Sequence, residues 1–99
     1  MLKAAFIFLA PEADSQKHRA VVETPAVKLT VVGVQDYGEA EKAVQELVGQ
    51  GYVAIELCGG FGVEGTARVK RAVSGKAAVG AVRFDGHPGL GGKSGDELF

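Results

Sequence analysis

Val53-Ala54-Ile55-Glu56-Leu57-Cys58-Gly59-Gly60-Phe61-Gly62-Val63-Glu64-Gly65-Thr66 reads as an apolar strand, a glycine-rich turn and the start of a helix. Outward from it, the pattern repeats on both sides. Upstream, Asp36 followed three residues later by Glu39 has the form of a capping box. Ala40, Ala43, Val44, Leu47 and Val48 then recur at three- and four-residue spacing, the apolar stripe of an amphipathic helix, and Gly49 and Gly51 supply its stop. Helix and strand are thus half of a βαβ unit, whose crossover is right-handed in nearly all proteins. Downstream, a second helix is expected from about Gly62 or Val63 to Ser74, burying Val69, Ala72 and Val73, with Glu64 and Arg68 spaced for an i,i+4 pair. A final strand follows over 77–84.

Two further strands precede the first helix. Leu2 to Ala10 is apolar at every position but Lys3, the pattern of a central strand covered from both sides. Val27 to Val34 is a β-branched run. About sixteen residues separate the two, enough for a parallel crossover. Within that gap, Glu12 to Arg19 is polar and suits a solvated helix, whereas Ala20-Val21-Val22-Glu23 suits a short extended edge, so the segment 12–23 stays open. The expected fold is α/β: one small domain over 1–85, with a mostly parallel four-stranded sheet in the order second, first, third, fourth. Helices pack on its faces, as in half of a flavodoxin-like fold or a related three-layer arrangement. Gly86 to Phe99 is a glycine-rich tail that is flexible, folds over the site, or docks on another subunit through Leu98 and Phe99.

With 99 residues the chain can build one modest core, and 46% hydrophobic with 23% charged residues places it among ordinary globular domains. A net charge of −1 gives no electrostatic case for nucleic acid or an anionic membrane. The run Ala4–Ala10 is too short to span a bilayer and lacks a small-x-small cleavage site. Cys58 stands alone, so no internal disulfide forms, and a cytoplasmic location is the default expectation. So small a sheet leaves edges and faces uncovered, which implies a homodimer.

Gly60-Phe61-Gly62-Val63-Glu64-Gly65 matches G-x-G-x-x-G between a strand and a helix, with Asp85 twenty residues beyond Gly65. Too little chain follows for a dinucleotide domain, Gly59 lengthens the turn, and Glu64 sets a negative charge beside a would-be phosphate. A smaller anion, phosphate or carboxylate, needs only the free N–H groups of the helix start. The bland alternative is a tight turn whose glycines merely satisfy backbone geometry. Parallel strands would deliver Ala10-Pro11, Gln35-Asp36, Cys58-Gly59-Gly60 and Asp85-Gly86-His87 to one edge of the sheet. A Cys58/His87 pair there would suit a nucleophilic thiolate, against the simpler reading of Cys58 as a small buried hydrophobe. Glu56, an acid inside an apolar strand, requires a partner or a wet cavity; Arg83 is the natural partner, and a general base is the functional alternative. No metal-ligand spacing is present, and no cofactor can be named.

Glu56-Leu57-Cys58-Gly59-Gly60-Phe61-Gly62, with His18-Arg19-Ala20-Val21-Val22-Glu23-Thr24-Pro25 and Val79-Gly80-Ala81-Val82-Arg83-Phe84-Asp85, resembles a family of small bacterial α/β proteins classed as a domain of unknown function. The resemblance brings no activity or cofactor, but it sets His18, Arg19, Glu56, Cys58 and Asp85 together as residues of interest. Three functional expectations stand. A small anionic metabolite binds at Gly59, Gly60, Phe61, Gly62, Gly65 and Thr66 with His18, Arg19 and Asp85 nearby; or Cys58 works as an enzyme nucleophile with His87 or Glu56; or the chain is a homodimeric interaction module with no ligand.

Overall fold

The computed structural model describes residues 1–99. Five strands form one sheet: β1 (Leu2–Leu9), β2 (Arg19–Glu23), β3 (Val27–Val34), β4 (Ala54–Leu57) and β5 (Ala78–Ala81). The two helices are α1 (Tyr37–Gly49) and α2 (Val63–Ala72). Spatial order is β2-β3-β1-β4-β5. β3, β1, β4 and β5 run parallel in the expected order, and β2 adds an antiparallel edge on β3. The sheet therefore has five strands rather than four. The extra one comes from the ambiguous segment, where Arg19 to Glu23 is extended and turns through Thr24-Pro25 into β3.

That hairpin has a consequence for the layers. The connection from β1 to β3 contains no helix, so it covers neither face. The β3–α1–β4 and β4–α2–β5 crossovers both step the same way across the sheet. Crossovers of one hand that advance in one direction set their helices on one face. α1 and α2 accordingly pack side by side, and a single core joins them to Ala5, Ile7, Val32, Val34, Ile55 and Leu57. The molecule has two layers, not three. β1 is central but covered on one side only, and Phe6 and Phe8 remain half-buried on the other.

Helix boundaries follow their caps. The Asp36 carboxylate accepts from Glu39 N at 2.8 Å, and Glu39 reaches back to Gln35 N at 3.1 Å, one residue before the box's usual partner. Tyr37, Ala40, Ala43, Val44 and Leu47 form the buried stripe of α1. Inside the core, Thr30 and Tyr52 satisfy each other through a 2.6 Å hydroxyl–hydroxyl bond. Arg68 of α2 does not pair with Glu64; it forms a bidentate ion pair with Glu41 of α1, at 3.1 and 2.8 Å, and ties the helices together. No helix is long and apolar enough to cross a membrane.

Candidate functional site

The parallel strands bring the Cys58–Gly62 turn and the Val82–His87 segment to the same edge of the sheet, where α2 begins. In such sheets this edge is where ligands bind. The first turn of any helix leaves backbone N–H groups without partners inside the helix. Gly62, at the cap position of α2, has no side chain to satisfy them. Asp96, from the far end of the chain, does so instead. Its Oδ2 accepts from Glu64 N at 3.0 Å, and its Oδ1 accepts from Gly65 N at 3.1 Å and from the Tyr37 hydroxyl at 2.9 Å. The place expected to hold a small anion thus holds a carboxylate of the same chain.

The glycines of the motif explain how it fits. A side chain at Gly62 would coincide with the Asp96 carboxylate, one at Gly65 with the Tyr37 ring, and one at Gly59 with the Phe84 ring. Each glycine admits a neighbouring side chain, whereas a dinucleotide fingerprint uses glycine to admit a pyrophosphate. The tail is shaped to deliver Asp96. Ser94 Oγ accepts from Asp96 N at 3.2 Å and Glu97 Oε2 accepts from Ser94 N at 2.9 Å, a capping box around a single 3-10 turn, Gly95–Glu97. Gly95 lies against the Gly60 carbonyl with no room for a side chain. Phe99 packs on the core with its ring centroid 6.0 Å from that of Tyr37. The tail thus packs back against the α2 N-terminus and Tyr37.

Tyr37 is the hub of this arrangement. It is 3% exposed, stacks on Phe61 at 5.5 Å between centroids, lies under the Arg68 guanidinium, accepts from Gly62 N at 3.0 Å and donates to Asp96. Burial, reinforced by the bond and charge of Asp96, pushes its pKa up to about 12. Burial also raises the Asp96 carboxyl, but the amides of Glu64 and Gly65 with the Tyr37 hydroxyl outweigh it and hold the group below its ordinary value.

Beside this notch opens a cleft of about 390 Å³. Phe61, Gly62, Val63 and Thr66 form one wall, Ala81 to Asp85 the other, and Ser94 of the tail closes one side. Half of its lining residues are hydrophobic. Arg83 contributes its one cation, paired with Asp85 at 2.9 Å and largely exposed.

Of the residues singled out from sequence, Phe61, Gly62, Thr66 and Asp85 line this cleft, Gly59 and Gly60 lie in the turn beside it, and Gly65 lies in the first turn of α2. The others have separate surroundings. Cys58 Sγ accepts from Leu9 N at 3.4 Å and Gly60 N at 3.3 Å, and the residue is partly buried against the core. His87 Nδ1 accepts from Gly89 N at 3.0 Å while its ring meets Phe84. Glu56 does not pair with Arg83: it points to the uncovered face of the sheet and is exposed, so water solvates it. His18 Nδ1 accepts from Asp14 N at 2.8 Å. Arg19 donates to Ser15 O at 2.7 Å and reaches Glu46 at 3.8 Å, leaving its buried Nη2 without a hydrogen bond. No group of three His, Cys, Asp or Glu side chains gathers to hold a metal. Tyr37 and Asp96 escaped the sequence reading, although Ser94-Gly95-Asp96-Glu97 carries a legible capping box.

Among known proteins, a model described as a family of unknown function, DUF6506, matches residues 2–97. No curated protein and no solved structure matches the chain.

Proposed function

The chain belongs to the DUF6506 family, and since that family's function is unknown we propose from the geometry alone that it binds a small monoanionic carboxylate with an apolar body. One observation carries this reading: a carboxylate, that of Asp96, already occupies the α2 N-terminus beside an apolar-walled cleft of about 390 Å³. The ligand's carboxylate replaces Asp96 on the amides of Glu64 and Gly65 and on the Tyr37 hydroxyl. Its apolar body enters between Phe61–Val63 and Ala81–Phe84, with Arg83 at the rim. The tail then acts as the site's own competitor and lid.

Charge favours a monoanion over a phosphate dianion. Replacing Asp96 by one carboxylate leaves local charge unchanged, whereas a second negative charge would sit near Glu64 and Asp85. A thermal-shift screen of the full chain and of Asp96→Gly tests the reading, with short aliphatic and aromatic carboxylates set against phosphate and sulfate. Carboxylates with an apolar body are expected to stabilise both chains, and Asp96→Gly more strongly because its competitor is gone. Stabilisation of neither chain by any carboxylate would sink the proposal.

A further inference from the structure

The sheet has a second face that no element of the chain covers. Register and strand alternation assign it Phe6 and Phe8 of β1, Leu29 and Val31 of β3, Val22 of β2, and the small residues Ala54, Ala78 and Gly80 of β4 and β5. Glu56 is the only charged residue of β1–β5 on that face. Phe6, Phe8, Leu29 and Val31 are half-buried by their neighbours within the sheet, and Val22 is 60% exposed. From this we infer that the uncovered face is the interface with a second copy of the chain, packed sheet to sheet.

Area and shape identify the occupant. Strands of these lengths, at about 3.3 Å per residue and about 4.8 Å between neighbours, tile roughly 450 Å² in projection, and more over a surface roughened by side chains. Two such faces together approach the about 1,200 Å² at which specific, stable interfaces begin. The relief of the face is self-complementary. Large side chains stand along β1 and β3, and a shallow trough of Ala54, Ala78 and Gly80 runs along β4 and β5, next to them in the same sheet. A two-fold axis pairs a patch with itself, so it can seat the ridge of one copy in the trough of the other. Glu56 stands at the border of that trough, in register with Phe6 of β1 on one side and Gly80 of the edge strand β5 on the other. This inference is independent of the proposed carboxylate site, which lies at the strand ends.

Gly80 makes the test clean. It is exposed, lies in a strand, and a side chain built there meets nothing within 4 Å. Gly80→Arg therefore leaves the folded chain intact while filling the trough. Sedimentation of the full chain at micromolar concentrations is expected to give twice the 10.2 kDa chain mass, and Gly80→Arg, with unchanged circular dichroism, to weaken association by roughly 100-fold. A wild-type chain that sediments as a monomer throughout would overturn the inference, leaving the face to some other partner. So would a dimer that survives Gly80→Arg, since it must be built on the helices or on a strand edge.

Discussion

Replacing Asp96 by Ala should separate the tail from α2, and its cost can be worked from the contacts. The carboxylate accepts two backbone amides and one tyrosine hydroxyl. A capping side chain removed from a helix N-terminus costs about 0.5–2 kcal/mol. Asp96 is a largely exposed residue, so water replaces part of what is lost and the upper end is not reached. The Tyr37 hydroxyl keeps its bond from Gly62 N, which limits the loss further. A cost of about 0.5–1.5 kcal/mol follows, or a drop in Tm of roughly 2–12 °C for a chain of this size. Its pH dependence has a definite sign. The folded pKa of Asp96 is depressed, so its contribution is fully present above the unfolded carboxyl value of about 4 and is lost as pH falls through the folded value. Thermal melts of wild type and Asp96→Ala, followed from neutral to acid pH, should therefore converge below about pH 4. Gly62→Ala places a methyl group where the carboxylate lies, and the double variant should lose little more than either single one. Equal melting of wild type and Asp96→Ala at neutral pH would refute the tail as the cap of α2. So would a difference that persists unchanged into acid.

Other outcomes follow from the same contacts. Tyr37, held near 12 by burial and by Asp96, should remain un-ionised in a spectroscopic titration through the ordinary tyrosine range, and Asp96→Asn should lower its midpoint. Because the folded value is the higher one, any stability gained from neutral Tyr37 is present below the ordinary value of 10.0 and is lost as pH rises towards 12. Tyr52→Phe strands the buried Thr30 hydroxyl and should cost about 1–3 kcal/mol in denaturant unfolding. Leu47→Ala, at a position 1% exposed, should cost about 2–5 kcal/mol by the same measurement. Arg68→Met breaks the bidentate pair with Glu41, but both side chains are about one-third exposed, so the change in Tm should be small and should disappear at high salt.

The parallel part of the fold was legible because its signals are local. Strand runs, the Asp36–Glu39 cap, the stripe from Ala40 to Leu47 and the glycine stops each lie within one turn or a few residues, and short crossovers then fix the strand order. β2 was not separable from a polar helix, since Glu12–Arg19 and Ala20–Glu23 carry opposite signals and only pairing with β3 decides between them. The open face had the same origin. Phe6 and Phe8 announce burial on both sides of β1, yet no sequence pattern says whether the cover comes from the same chain. At the candidate site, the strand-to-helix turn after β4 was legible. The carboxylate that caps the helix was not, because Asp96 lies 31 residues beyond Gly65 and reaches it only once the tail has folded back.

The proposed function turns on whether a free carboxylate takes the place of Asp96. Titrating the ¹⁵N-labelled full chain and its Asp96→Gly variant with phenylacetate, followed by amide NMR, measures this directly. Saturable shifts are expected at the amides of Glu64 and Gly65 and along Ala81–Asp85, with tighter binding in Asp96→Gly and, in wild type, release of the Gly95–Phe99 turn. Shifts confined to other surfaces, or an affinity that removing Asp96 does not change, would contradict it.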